Sequence, residues 1–535
     1  MKKVFLFLCM TVFAFNKGQA QGTLSGDLQT NVNFFQRDPS INAANNPLYD
    51  NLLSGGEGWL SLRYSYKGFT AFLRADAFHN SNLYKPEAAF TQYGIGAWSL
   101  SKQYHGLTVT GGYIYDQVGS GIVFRAYEDR GLLIDNALVG LHLKYNVNDH
   151  FMVKGFAGQF KNVLTFNRYE SVIKGINGEG DFQLGEKVHI LPGLAAVNRT
   201  YDAERVNSIA SAINSEPDVD DRFVPTYNAY AFTAYNTLTA GDFSWYAEGA
   251  YKSHEAIFKD GKYRDLSGSV LYSTLGFAKK GIAVNLQGKR TENFSFRANL
   301  QGEDVLGQRG SIAWQPVVAR IRPQRLLARY TPASQDLSEM ALGGDILLSP
   351  NDNLDVTLNY THINTLADTV LYREVYAEVN YRGLDRWQFQ VGAQYMKYNQ
   401  AQYQVKPGVP MVEAITPFFE IVYKIDDKKS IRTEWEYMST KQDYGSWLFG
   451  LVEFSVAPKW SFAVSDMYTT DLNPSNLSGL KEPQHYYNIF MAHTLGPHRF
   501  TLAYVKQVDG INCTGGVCRY EPAFSGVKFT VTSSF

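Results

Sequence analysis

Five charged residues crowd one short stretch of this chain: Arg125, Glu128, Asp129, Arg130 and Asp135, with Gly119, Gly121 and Gly131 around them. Guanidinium and carboxylate groups so close together form ion pairs. In a confined passage, ion pairs sort solutes by charge and size rather than break bonds. The loop 117–136 that carries them could fold inward as a constriction; a solvated or pinned surface loop is the competing reading. Its Gly-Ser-Gly does not lead from a parallel strand into a helix, so a nucleotide cradle is rejected. Enzyme chemistry has little else to draw on. There is no G-x-S-x-G, H-E-x-x-H, P-loop or C-x-x-C, and His142, His150 and His189 lack ligand spacing. No enzyme activity, cofactor or metal is expected, although a hydrolase site assembled from separated strands stays as a lesser alternative.

The cysteines point to export rather than catalysis. Residues 1–20 read as a signal peptide: Lys2 and Lys3, the apolar Val4 to Phe15, then Gly18-Gln19-Ala20 as a small-residue cleavage site. Cleavage removes Cys9 and leaves Cys513 and Cys518, an even pair that favours a local disulfide over metal ligation.

The elements that must position these residues are strands. Trp387, Phe389, Val391, Ala393 and Tyr395 alternate with Gln388, Gln390, Gly392 and Gln394. Leu354, Val356, Leu358 and Tyr360 alternate with Asp355, Thr357, Asn359 and Thr361, and the same split recurs at 60–66, 243–252 and 430–438. Period two means one greasy and one wet face. Tight turns such as Lys67-Gly68, Lys280-Gly281 and Leu495 to His498 take turns with longer polar connections such as 399–411, 470–484 and 507–523. Short turns on one side and long loops on the other are the layout of an all-β, transmembrane, antiparallel up-and-down barrel, expected here with about 22–24 strands and 20–26 allowed. A soluble β-sandwich is the competitor, but it would not sort loop lengths by side. The barrel occupies 21–535, with larger insertions near 184–223, which includes a possible helix Ala203 to Asn214, and near 291–338.

On this reading wet-face charges point into the lumen: Arg74, Asp76, Glu248, Glu378, Arg382, Glu420, Arg432, Glu434 and Glu436. Both signs occur, so no sharp ion selectivity follows. The basic run Arg320, Arg322, Arg325 and Arg329 is expected as a solvated loop, with lipid head groups or the pore as alternatives. The last strand places Val527, Phe529, Val531 and Phe535 on one face. It resembles the assembly signal of bacterial outer-membrane proteins, which implies outer-membrane lipid and the barrel-assembly machinery as partners.

Composition agrees. The 535 residues are 14% aromatic and 45% hydrophobic, with a formal net charge of -1 and a mean hydropathy of -0.25. No global basic field draws the chain to nucleic acid. After residue 20, no apolar run approaches the roughly 18 residues of a spanning helix.

The run Gly119-Ser-Gly-Ile-Val-Phe-Arg-Ala-Tyr-Glu-Asp-Arg-Gly-Leu-Leu-Ile-Asp-Asn136, with the strand Ala137 to Tyr145 after it, resembles a motif of a Bacteroidota family of uncharacterised exported proteins. Val172 to Glu179 and Gly22 to Gly26 are similar to that family too. The resemblance implies an outer-membrane barrel in a Gram-negative bacterium and brings no catalytic residues. Strand-like alternation from Leu24 onward leaves no obvious plug domain ahead of the barrel. The leading expectation is a porin-like passive channel for small solutes in the cell outer membrane. The alternative is an accessory or scaffold subunit of an outer-membrane export or surface complex, with other outer-membrane proteins as partners.

Overall fold

Strands with one apolar and one polar face can meet hydrocarbon only if every backbone N–H and C=O is paired, which forces the sheet to close. The computed structural model describes residues 22–85, 88–299, 309–333, 337–473, 480, 482–514 and 517–535. Among them, 24 strands form one closed antiparallel barrel, each bonded to its neighbours in sequence. The first strand, Thr23–Phe35, pairs with Ser54–Tyr66 on one side and with the last strand, Phe524–Ser534, on the other. That pairing is the seam of the cylinder. Gly26 N–H donates to Phe535 O at 2.8 Å and Phe535 N–H donates back to Gly26 O at 3.0 Å, so the terminal residue is itself stitched into the closure.

The pattern of exposure is inverted relative to a soluble protein. Leu271, Leu342, Val391, Val464 and Ile489 stand exposed on the outside, while Asn359, Thr361, Gln394 and Glu434 are buried inside. Exposed aromatics flank this aliphatic band. Tyr104, Phe151, Phe243, Trp387 and Trp460 lie beside the tight turns, and Phe34, Tyr93, Tyr230 and Tyr437 near the opposite rim. Two aromatic girdles around an aliphatic belt suit a bilayer with its two interfaces. Val527, Phe529 and Val531 pair across the seam with Phe34, Val32 and Thr30, and Phe535 is exposed.

Connections sort by rim as expected. One rim carries short turns, including 67–68, 105–106, 241–242, 280–281 and 496–497; the other carries 36–53, 115–137, 201–227, 293–338, 399–411 and 508–523. The expected insertion near 184–223 is corrected in part. Val188–Thr200 is a full wall strand, paired with Arg168–Gly180 and Asn228–Ala240, and the insertion starts after it. Its alternation is faint because Ala195 and Val197 face inward while Asn198 faces out. The helix Ala203–Asn214 forms as expected. Asp202 caps it by accepting from the Arg205 amide at 3.0 Å, and Val206, Ile209 and Ile213 supply the buried stripe. The expected signal peptide lies outside the described residues.

A charge on the outer band should therefore be costly and one in the lumen cheap. Val391→Lys is expected to destabilise the barrel by about 2–4 kcal/mol, and its inward neighbour Gln390→Lys by less than about 1 kcal/mol. Denaturant titration of the barrel folded into lipid vesicles measures both.

Candidate functional site

The strands Leu107–Ile114 and Leu138–Asn146 pair directly, with Ile114 opposite Leu138. The segment 115–137 between them therefore leaves and re-enters the wall at one point, and it folds into the lumen. Its first half is apolar. Val118, Ile122, Val123 and Phe124 are fully buried, and they pack against Phe156, Phe160 and Ile173 of the wall; Phe124 stacks on Phe156 at 4.0 Å. At the tip, Gly119 adopts φ +53, and a Cβ there would come within 2.9 Å of Glu248 Oε1. The missing side chain lets Ser120 reach the wall, donating to Glu248 Oε2 from its amide at 3.0 Å and from its hydroxyl at 2.6 Å.

The second half holds the charges. The Arg74 guanidinium, from the strand Phe69–Lys85, donates to Asp76 Oδ1, Glu128 Oε1 and Asp135 Oδ2, each at 2.6 Å. Lys161 donates to the same Asp135 oxygen at 2.6 Å and to Gly96 O at 2.6 Å, and Tyr115 donates to Asp135 Oδ1 at 2.8 Å. Arg130 closes the cluster by donating to Glu128 at 3.1 Å. Asp129 instead caps the turn Arg130–Leu132, accepting from the Leu132 amide at 3.1 Å. Arg125 faces the other way, between the rings of Tyr127 and Trp314 at 4.3 and 4.5 Å. Of the five expected constriction residues, then, Glu128, Arg130 and Asp135 meet in one cluster, while Asp129 and Arg125 have separate tasks.

Lys161 and Trp314 were not expected. Lys161 follows Phe160 in the Phe151–Lys161 strand, where strict alternation would turn one of the two outward. A register shift between Gln159 and Lys161 brings both inside, and only that irregularity could have flagged it.

A second inward segment, of which residues 293–299, 309–333 and 337–338 are described, meets the first. Arg125 N–H donates to Ile312 O at 2.8 Å and Trp314 N–H donates to Gly121 O at 3.1 Å. The Asn136 amide spans both segments: its Oδ1 accepts from Gly310 N–H at 2.9 Å and its Nδ2 donates to Ser311 O at 3.3 Å. The basic run is not a solvated loop, because it lies inside the barrel. Arg322 donates to Glu374 at 3.0 Å and to Asn359 at 2.7 Å, and Arg329 sits over the Trp447 ring at 4.6 Å. Arg320 and Arg325 are exposed, and Arg320 pairs with Asp345 at 3.0 Å. Beneath residues 314–321, towards the short-turn rim, a cavity of about 820 Å³ remains between this segment and wall residues Asn285, Gln287, Asp345 and Thr357.

The other expected lumen charges are mostly paired. Arg432 contacts Glu420 at 2.7 Å and also Glu434; Arg382 meets Asp355 at 2.6 Å; Glu378 accepts from Tyr376. The hairpin Gly510–Thr514 and Val517–Glu521 sets Cys513 opposite Cys518 in backbone register, but their side chains, and with them the disulfide, lie outside the described residues. Among the described residues, no three His, Cys, Asp or Glu side chains come together as a metal site.

Burial alone would raise the Asp135 carboxyl, but Lys161 and Arg74 more than offset it and hold it below its ordinary value of 3.8. Glu128 goes the other way. Burial raises it, and Arg74 recovers only part of the shift. The seat therefore carries an Asp whose charge is favoured and a Glu whose charge is strained.

The chain belongs to a family of unknown function (DUF6029), whose model matches residues 1–535. Among curated proteins none matches it. Solved structures similar to it include the P pilus usher (PapC) translocation pore, at 9% identity and TM-score 0.46, covering 96% of this chain and 99% of that one. The ferric-catecholate import receptor Fiu from E. coli K12 is similar at 10% identity and TM-score 0.42, covering 97% and 82%. OccAB3 of Acinetobacter baumannii is similar at 8% identity and TM-score 0.37, covering 96% and 99%.

Removing a buried ion-pair partner leaves the others uncompensated. Arg74→Met is expected to cost about 3–5 kcal/mol and to raise amide exchange through 115–137. Arg130→Met, at the half-buried edge, should cost under about 1 kcal/mol. Because the Asp135 carboxyl is depressed in the folded state, its stabilisation is present above 3.8 and is lost as pH falls below that value. Glu128 is raised, so its protonation in mild acid relieves strain and does not release the segment. Hydrogen exchange of 115–137 across a pH series should show protection kept in mild acid and lost only below the ordinary Asp range.

Proposed function

We propose that this protein is an outer-membrane β-barrel that works as a restricted, porin-like passive channel for small solutes. The observation that carries the reading is a closed barrel with an aliphatic belt between aromatic girdles, enclosing a polar wall. Such an exterior is stable only against lipid. The short-turn rim faces the periplasm in this reading and the long-loop rim faces outward, with lipid and the barrel-assembly machinery as its partners. The segments 115–137 and 309–333 narrow the lumen, and the cavity of about 820 Å³ below them is an entry vestibule on the periplasmic side. Paired charges of both signs line the narrowing, so size selects more than charge does. No covalent chemistry is assigned to it.

The scaffold reading has its own support. Two apolar clusters, one around Phe124 and Phe156 and one around Leu326, Tyr330 and Trp447, pack the inward segments against the wall. The insertion 201–227 also leaves Val219 and Val224 exposed. A barrel closed for good and serving as a docking post would look the same.

Conductance across planar bilayers separates the two. The channel reading expects small, weakly selective steps from the wild type and severalfold larger steps when 116–135 is replaced by a short Gly-Ser link. A barrel silent in both forms, purifying from mild detergent with a stoichiometric partner, would establish the scaffold instead.

A further inference from the structure

A hollow of about 800 Å³ indents the outer, apolar surface where the strands Arg168–Gly180, Val188–Thr200, Asn228–Ala240 and Phe243–Lys259 run side by side. Backbone register sets its shape. Gly178, Leu194, Ala234 and Gly249 are successive direct partners, so they form one outward row across the four strands. All but Leu194 carry little or no side chain, and a Cβ at Gly178 would meet nothing within 4 Å. Two residues nearer the long-loop rim, the next outward row runs Ile176, Ala196, Phe232. Ala196 is a gap there between two large exposed side chains. The row above runs Lys174, Asn198, Tyr230, about 7 Å further along the strands. Tyr230 belongs to the aromatic girdle. The hollow thus continues as a slot one residue wide that ends beneath a lysine at the interface.

Lipid tails are as apolar as this surface, so contact rather than hydrophobicity decides what occupies it. An empty concavity forfeits dispersion contacts that a fitted chain recovers. The strands that carry Ile176 and Phe232 lie two strand spacings apart, about 10 Å, and their side chains narrow the opening further. A helix, roughly 10–12 Å across, does not fit between them; a single acyl chain does. Charge specifies the other end. Lys174 is exposed and forms no ion pair among the described residues, and an unpaired ammonium at the border of the hydrocarbon favours an anionic headgroup.

We propose that the slot seats one acyl chain of a phosphorylated lipid whose phosphate meets Lys174. The inference rests on the outer-membrane reading, not on conduction. Its test is native mass spectrometry of the delipidated full-length barrel in detergent, titrated with dioleoyl phosphatidate or with dioleoylglycerol, which has the same tails and no phosphate. One phosphatidate per barrel should be retained at concentrations where dioleoylglycerol is not. Lys174→Gln should weaken that retention about 5-fold, and Gly178→Leu, which grows into the hollow, should abolish it. Ala196→Leu plugs the slot from the next row and serves if the Gly178 variant fails to fold. Gly111→Leu, at another wall glycine with open space around its Cβ position, should leave retention unchanged. Equal retention of the two lipids, wild-type retention in both plugged variants, or a barrel dimer that those variants split would overturn the proposal, the last by giving the hollow to a second copy. A barrel that fails to insert into vesicles removes the outer-membrane reading; one that inserts and retains neither lipid removes this inference alone.

Discussion

Hydrocarbon offers no partner for a peptide group, and most of this structure follows from that. The chain meets the constraint by pairing 24 strands edge to edge until Thr23–Phe35 bonds Phe524–Ser534. A sheet of that circumference encloses a space that wall side chains alone cannot fill, since small barrels of about 8 strands are already the limit for that. The chain therefore has to fill the space with backbone or leave it to water. It does the first with 115–137, 293–299 and 309–333, which bring their own apolar residues inward and bury them against Phe156, Leu371, Met396 and Trp447. The barrel thus acquires apolar packing inside as well as an apolar exterior, separated by a single polar-faced wall.

Charges in that interior persist because they are matched. The Arg74 cluster sets Arg74, Lys161 and Arg130 against Asp76, Glu128 and Asp135, and at such burial an unmatched member would be far more costly than a surface ion. Each partner comes from a different place: two neighbouring positions on one strand, the end of another, and the inward segment itself. Geometry rather than raw attraction is what this arrangement secures, because Asp135 can satisfy both Arg74 and Lys161 from only one position. The apolar half of the segment fixes depth and the charged half fixes orientation.

Much of this was readable from residue order. The strand at 387–398 shows its two faces without help, and the tight turns mark one rim. Expected strand number and observed number agree, even though Val188–Thr200 escaped notice. That strand was hidden because Ala195 and Val197 on its inward face pack with the 115–137 segment, so the two faces no longer contrast there. The same cause hid the basic run. Arg322 and Arg329 look like solvated residues in sequence, and only the fold shows Glu374, Tyr376 and Trp447 waiting for them. Period two reports what faces lipid and what does not, but it is blind to what later fills the inside. The charged stretch 125–135 was recognisable as unusual from its spacing, whereas its hub, Arg74, lies far away in sequence and was one inward charge among many.

The seat for 115–137 draws on Asp27 and Gln29, on Arg74 and Lys161, and on Ile312 and Trp314. Its two sides are thus separated by most of the first three hundred residues. Contacts of such long range form late, since loop closure must come before them. The inward segment 115–137 therefore reaches its seat only once the chain near residue 312 has met the wall strands that carry Asp27, Arg74 and Lys161.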